Sequence, residues 1–528
     1  MTLSANVVQK LRKLLGDDSV ICEGKALSRY CRDQSIYSIS PGAVVLPRTV
    51  EEISHVIKFA REAQIPITPR GGGSSTAGGC LGRGIVIAFP RENSLANIGN
   101  FKEENGRAFV TAGAGAIHSN MQDYLAQRGY FLPADPSSAK ICRIGGNVAT
   151  KASGPHALRH GSIDKYLKSL VFVMSDGTIV DTADEKTMPK KILQAVADLA
   201  RQVRDDRKVS QRLQSRRNRK IASGYNLFSL LDDAPLSELV AHLLVGSVGT
   251  LGVITEATFH ADPLEEGCAT LLLSFSSLSQ AGEAVLAIKE LDVAAIEIMN
   301  AKSVEVVCQK RRMAPDILQM SGHVLLVEIT GPDYLETLAK VEKLVKDCDW
   351  KLTDKPAKAT SVEEQKQLWT TRKALLPTFM HFSESLKALS VVNDVGVPPK
   401  HLAPFISDVE RIFEKHGLVG AIYGHAGNGN LHLRPLFDVT SPNLLKQLES
   451  LVNDVYEVLF NYDGTITAEH GMGRLRAPYL EAEWGSETVD YMRRLKHIFD
   501  EDDLLNPEVM FSQKSLFDDL APLLKGLS

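Results

Sequence analysis

Residues 65–79 read IPITPRGGGSSTAGG. Ile65 to Pro69 is short and apolar and looks like a β segment. It runs straight into a loop with five glycines between Gly71 and Gly79. Lacking Cβ atoms, such a loop can take positive φ and bring backbone N–H groups close to a phosphate. Taken alone, a glycine run reads equally well as a surface loop. Neither common nucleotide fingerprint fits. The chain has no G-x-x-x-x-G-K followed by Ser or Thr, and Gly71-Gly-Gly73 opens no G-x-G-x-x-G helix start. A nicotinamide Rossmann domain is therefore disfavoured.

Two further clusters change the weight of the first. Residues 133–164, PADPSSAKICRIGGNVATKASGPHALRHGSID, are too rich in Gly, Pro, Ser and Ala to pack as one helix or strand. Gly246-Ser-Val-Gly-Thr-Leu-Gly-Val-Ile-Thr-Glu256 precedes an alternating strand. Three such clusters in one half of the chain can jointly wrap a large phosphate-bearing ligand.

Around them the pattern is mixed. Residues 5–15 predict an amphipathic helix ended by Gly16. Thr49-Val-Glu-Glu52 reads as a capping box opening a helix with Ile53, Val56, Ile57 and Ala60. Runs at 84–89 and 108–112 look like strands, and 169–181 like a hairpin turned at Ser175-Asp-Gly177. Beyond Pro263, strands 268–276, 293–299 and 323–330 alternate with helices 279–290, 301–312 and 333–347. That alternation predicts an α+β sheet domain with helices on one face. A helix over 478–499 follows near the end.

The 528 residues suffice for roughly two to four domains. Lys plus Arg number 60 and Asp plus Glu 64, a net charge of −4 that gives no global attraction to nucleic acid or anionic membrane. No run approaches the roughly 20 apolar residues of a membrane span. The N-terminus lacks a signal peptide's apolar core, so the expected location is cytoplasmic. Cys22, Cys31, Cys80, Cys142, Cys268, Cys308 and Cys348 form no C-x-x-C pair, which argues against a cysteine-built zinc site or an iron–sulfur cluster. Their odd number points to reduced thiols.

The sharpest motifs lie in the second half. Tyr423-Gly-His-Ala-Gly-Asn-Gly-Asn-Leu-His-Leu-Arg-Pro435 sets His425 and His432 on either side of a glycine turn, which Gly427 and Gly429 are expected to make. Ala468-Glu-His-Gly-Met-Gly473 adds Glu469 and His470. A lone histidine is most often a packed or surface residue. Three of 14 histidines in two glycine-framed motifs with a carboxylate is a different matter. Two histidines and a carboxylate suit a divalent metal with open positions, with zinc, manganese and ferrous iron all eligible. Arg434 lies two residues beyond His432, on the same face of a continuing strand.

In order and spacing, Arg70 to Ser74, Gly145-Gly-Asn147 with Ala152-Ser-Gly154 and His160-Gly161, Gly224-Tyr-Asn226 and Gly246 to Glu256 resemble the FAD domain of the vanillyl-alcohol oxidase/p-cresol methylhydroxylase superfamily. The histidine motifs resemble the C-terminal domain of the FAD-linked oxidases, shared by D-lactate dehydrogenases, glycolate oxidase flavin subunits and D-2-hydroxyglutarate dehydrogenases. The resemblance implies an α+β chain: a two-subdomain FAD-binding domain over 1–262, a cap with an antiparallel sheet over 263–477, and a segment over 478–528 returning to the first domain. It assigns FAD contacts to Arg70, Gly71, Gly72, Gly73, Ser74 and Ser75, to Pro136, Ser137, Gly145, Gly146 and Asn147, to Ala152, Gly154 and Gly161, to Gly252 and Ile254, and to Asn506. Gly73 stands where some members carry the histidine that links FAD, so non-covalent FAD is expected. His160 replaces a motif tyrosine.

The resemblance further makes His425, His432 and Glu469 the metal ligands, His470 the base and Arg372 the holder of the substrate carboxylate. The implied reaction oxidises a D-2-hydroxy acid of D-lactate or glycolate type to the 2-oxo acid. A cation lowers the hydroxyl pKa, His470 takes its proton and the hydride goes to the flavin N5. Electrons then leave to an external acceptor, with an iron–sulfur subunit or an electron-transfer flavoprotein as candidate partners. A homodimer and membrane association through a partner stay open. Arg434 would suit a second carboxylate, as in D-2-hydroxyglutarate, whereas Val392 is apolar where those enzymes carry a lysine. The competing reading of another class is an electron-relay flavin subunit.

Overall fold

A computed structural model describes residues 2–90, 93–310, 320–380, 382–512 and 514–521. The chain forms two compact units. The first comprises Met1–Ala152, Ser162–Leu264 and Glu469–Pro522; the second holds Ser153–Gly161 and Glu265–Ala468.

In the first unit the opening stretch is a strand, Ile67–Arg70, parallel to Ile85–Ala88, which in turn runs parallel to Ala43–Val45. The helix Val50–Glu62 buries Ile53, Val56, Ile57 and Ala60 against these strands. Thr49 caps it, its Oγ1 accepting the Glu52 N–H at 3.3 Å. The return arm departs from the expected box: Glu52 Oε2 accepts the Arg48 N–H at 2.6 Å. Ala5–Leu15 is the expected helix, burying Leu11 and Leu15. A second, antiparallel sheet sets Val253–Pro263 between Arg107–Gly113 and Leu167–Val173, and the latter pairs with Ile179–Asp181 as a hairpin.

The second unit is built on one antiparallel sheet. Its strand order is Ala357–Ala359, Cys268–Phe275, His323–Thr330, Ala295–Met299, Gly420–His425, Asn430–Asp438 and Leu386–Ala388, with Val395–Gly396 also paired to Asn430–Asp438. Helices pack on one face of this sheet. Val304, Val306 and Val307 of one helix and Leu368, Leu375 and Phe379 of another pack on the face carrying Leu272, Met299 and Leu326. The opposite face, with Leu271, Leu273, Ile296, Ile298 and Val327, is buried as well. Strand alternation therefore requires cover on both sides. The helix predicted over 301–312 is Ala301–Lys310; its last two positions lie outside the described residues.

The divisions differ from the expected ones in two places. The chain rejoins the first unit at Glu469 rather than 478. There the tail extends the first sheet: Ile67 N–H donates to Leu504 O at 2.9 Å and Asn506 N–H to Ile67 O at 2.6 Å. Residues 153–161 belong to the second unit because Arg159 Nη1 donates to Thr330 O at 2.7 Å and His156 bonds Glu328. The helix predicted over 478–499 breaks at Gly485, whose φ is 76°, into Leu480–Trp484 and Ser486–Phe499. Among the described residues, no helix is long and apolar enough to cross a membrane.

Candidate functional site

The three glycine clusters meet in the first unit. They wall a cleft lined by Pro69, Arg70, Gly71, Ser75, Gly79 and Cys80, by Ala114, Gly145, Gly146, Ala149 and Thr150, and by Val248, Gly249, Gly252 and Ile254. Gly73 turns the first loop with φ 73°, and a Cβ there would meet the Arg70 guanidinium at 2.4 Å. At Gly146 a Cβ would meet nothing within 4 Å, because that position looks into open space.

Several polar side chains assigned to the cofactor hold the walls together. Arg70 Nη2 donates to Arg32 O at 2.7 Å, and Nη1 reaches Tyr30 O and Cys80 O at 3.4 Å. Ser75 Oγ accepts the N–H groups of Ala77 and Gly79. Asn147 Nδ2 donates to His118 Nδ1 at 3.0 Å. Burial pushes that imidazole down to about 4, against the pull of Asp135 and the Ala134 backbone. Asn506, fully buried, donates to Gly79 O at 2.8 Å and Val248 O at 2.7 Å, bracketing two of the turns. Gly72, Ser74, Pro136, Ser137 and Ala152 lie in the same unit but do not line the cleft, while Gly154 and Gly161 fall in the second unit.

The loop Glu469-His-Gly-Met-Gly473 packs on this cleft. Gly471 abuts Thr150, where a Cβ would lie 3.1 Å from Cα, and a Cβ on Gly79 would lie 3.1 Å from Met472 O. Glu469 Oε1 is 3.6 Å from His470 Nε2, and Glu469 Oε2 pairs with Lys220 Nζ at 2.6 Å.

In the second unit the histidine turn is a hairpin between Gly420–His425 and Asn430–Asp438. Gly429 reverses the chain with φ 69°. Gly427 makes room instead of turning the chain, since a Cβ there would strike Leu158 at 2.6 Å. Glu297 is the registered partner of His425 on the adjacent strand, and directly opposed residues share a face. Glu297 is fully buried. One of its oxygens bonds His425 Nδ1 at 2.5 Å; the other accepts from Arg372 Nε at 2.7 Å. Burial pushes this carboxyl up, but His425 and Arg372 outweigh it and hold it at about 2. Arg372 also lies over the Tyr423 ring, 4.5 Å from its centroid. The rings of His425 and His432 are edge-to-face at 5.3 Å. Arg434 is buried on the same strand face as His432, and its Nε has no hydrogen-bond partner among the described residues.

Residues 265–510 match the model of the FAD linked oxidases, C-terminal domain, and residues 41–183 match the FAD binding domain. Glycolate oxidase subunit GlcD of Bacillus subtilis is 30% identical over 482 residues, 90% of this chain and 90% of that protein. The chain belongs to the FAD-linked oxidase family. The mitochondrial D-lactate dehydrogenase [cytochrome] of Arabidopsis thaliana is 28% identical, covering 88% of this chain and 73% of the relative. D-2-hydroxyglutarate dehydrogenase of Pantoea ananatis is 26% identical over 90% of this chain, which spans only 48% of that protein. Among solved structures, p-cresol methylhydroxylase superposes with a TM-score of 0.67 at 16% identity, covering 96% of each chain, which shows the shared fold.

The FAD-linked oxidase cleft fits its cofactor on two counts. Gly146 leaves room that a side chain would fill, and Gly71, Gly79, Gly145, Gly249 and Gly252 leave its walls without Cβ atoms. The donor chemistry of His425 fits a metal: a carboxylate on Nδ1 selects the tautomer whose lone pair is on Nε2.

Sequence reading missed four charged residues. Glu297 and Glu328 interrupt apolar strands, AAIEIM and LLVEIT, and a carboxylate inside such a run signals a buried, partnered charge. Glu328 accepts from His156 at 2.5 Å and from Trp369. Asp394 holds a carboxylate oxygen within 4.8 Å of a His432 ring nitrogen and accepts from Asn430 and Thr467. Lys220 was concealed in a basic run.

Proposed function

We propose that the chain is an FAD-dependent dehydrogenase that oxidises a D-2-hydroxy acid of D-lactate or glycolate type to its 2-oxo acid. The observation that carries the reading is the seat of His470. Its loop packs on Thr150 and against Gly79, two residues of the cofactor cleft wall, and Glu469 flanks the imidazole. The relatives named for glycolate and D-lactate supply the substrate class.

In this reading His470 accepts the hydroxyl proton. Arg372, with Nε committed to Glu297, grips the substrate carboxylate through its Nη pair. His425, His432 and Glu469 would hold a divalent cation, zinc, manganese or iron, which would supply a lowered pKa to the hydroxyl. FAD, held non-covalently by the glycine turns, supplies the hydride acceptor. Electrons leave to an external acceptor, an iron–sulfur subunit or an electron-transfer flavoprotein.

One observation favours a second reading. The buried, unpartnered Arg434 Nε suits a second carboxylate, which points to D-2-hydroxyglutarate or a related diacid. Anaerobic addition of D-lactate, glycolate or D-2-hydroxyglutarate to the purified flavoprotein tests both. Bleaching by the monoacids supports the first reading. Bleaching by the diacid alone, abolished in Arg434→Ala, selects the second. A colourless protein that takes up no FAD sinks both.

A further inference from the structure

The run Arg216-Arg-Asn-Arg-Lys220 carried no assignment from sequence. Two of its cations have evident structural partners: Arg216 bonds Glu483 in the core, and Arg217 meets Asp232 at the surface. Lys220 differs in what it touches. Its side chain is 6% exposed, and it pairs at 2.6 Å with Oε2 of Glu469, itself 10% exposed. The second oxygen of that carboxylate is 3.6 Å from His470 Nε2. One buried carboxylate is thus shared between an ammonium and an imidazole.

We propose that Lys220 is a positioning residue that fixes the Glu469 carboxylate with one oxygen toward His470 and competes with a divalent cation for its charge. The inference rests on the reading that assigns Glu469 to the metal. A dication held beside Glu469 draws much of its attraction from that carboxylate's negative charge. An ammonium at ion-pair distance in a water-poor site cancels much of it. The same contact stops the carboxylate from rotating, so its geometry toward His470 is preset. Removing the ammonium while keeping the stem therefore has two opposite effects. The cation binds more tightly, and turnover falls because Glu469 is no longer held. A simple packing defect would weaken both.

The test uses FAD-replete, full-length Lys220→Met, with Lys220→Gln as a second neutral variant and Lys220→Arg as the charge-preserving control. Mn²⁺ and, separately, Zn²⁺ are titrated calorimetrically without substrate, and kcat and KM are measured with the three hydroxy acids above. Both neutral variants are expected to bind at least one of these cations on the order of tenfold tighter. They lose about tenfold or more in kcat at unchanged FAD content, and Lys220→Arg stays near wild type in both. Unchanged or weaker affinity for both cations in the neutral variants overturns the proposal, as does a wild type that binds neither. If no variant, wild type included, oxidises a hydroxy acid, the proposed activity fails, while the calorimetry still decides the role of Lys220.

Discussion

The first unit builds its binding region from main chain, and the second builds its polar face from side chains. The cleft wall is largely Gly, Ala, Pro and Val, and the polar side chains near it mostly brace the turns. On the second unit's sheet, Glu297, Arg372 and His425 form a buried network among apolar strands. The difference teaches where each region is fragile. A backbone cradle is harmed by adding atoms, because its value is space and exposed N–H groups. A buried charge network is harmed by removing atoms, because each loss strands the remaining partners.

The largest effect is expected at Glu297. Glu297→Ala leaves the Arg372 and His425 contacts unmade in the interior and should cost about 3–5 kcal/mol in denaturant unfolding. If the loss is under about 1 kcal/mol, the network contributes no stability and the contrast fails. Acid sensitivity gives a second handle. Glu297 is held at about 2, below its ordinary 4.5, so its contribution is full above 4.5 and is lost as pH falls toward 2. Glu297→Gln should lack that part of the acid transition.

His118 is next. Its imidazole is depressed from 6.5 to about 4, so the unfolded chain binds the proton more readily between those values. Stability should be full above 6.5, fall by at most about 3 kcal/mol toward pH 4, and fall less in His118→Gln. A wild type whose stability is flat across that window would show that His118 is not held neutral beneath the cleft wall.

Gly146 and Gly72 sharpen the point about added atoms. Gly146→Val should weaken FAD binding by about a hundredfold while leaving unfolding of the FAD-free protein nearly unchanged, since a Cβ there meets no protein atom. Gly72→Ala should instead destabilise the fold, because its Cβ would lie 2.0 Å from Ile141 O. Equal losses of stability in the two variants would erase the distinction between cradle and scaffold. The smallest effect is expected for Asn506→Ala. Losing two bonds to the Gly79 and Val248 carbonyls should cost about 2 kcal/mol, with FAD affinity following.

Much of the fold was readable from local pattern. The capped helix after Thr49, the hairpin expected over 169–181 and the alternating elements beyond 263 all follow from periodicity and turn residues within one segment. What was misplaced depended on partners elsewhere. The return of the tail at Glu469 follows from loops more than 300 residues earlier, and the burial of the sheet's second face follows from strands that alternate without declaring their cover. Among the expected cofactor glycines, Gly71, Gly145, Gly146 and Gly252 line the cleft wall, because backbone constraint is a property of the residue itself, whereas Gly72, Gly154 and Gly161 do not. Glu297 was not legible, because its meaning lies in Arg372, 75 positions away, and His425, 128 positions away.

The sequence by itself therefore determined the glycine turns, the histidine motifs, the chemistry they can support and the family resemblance, since each is written in contiguous residues. Only the tertiary structure decided that Asn147 and Asn506 brace the walls, that Glu297 fixes the tautomer of His425 and commits one nitrogen of Arg372, and that Lys220 holds Glu469. A carboxylate or an ammonium has the same sequence signature on the surface and in the interior. Its role is set by burial and by the opposite charge brought beside it, and both exist only once distant segments have packed.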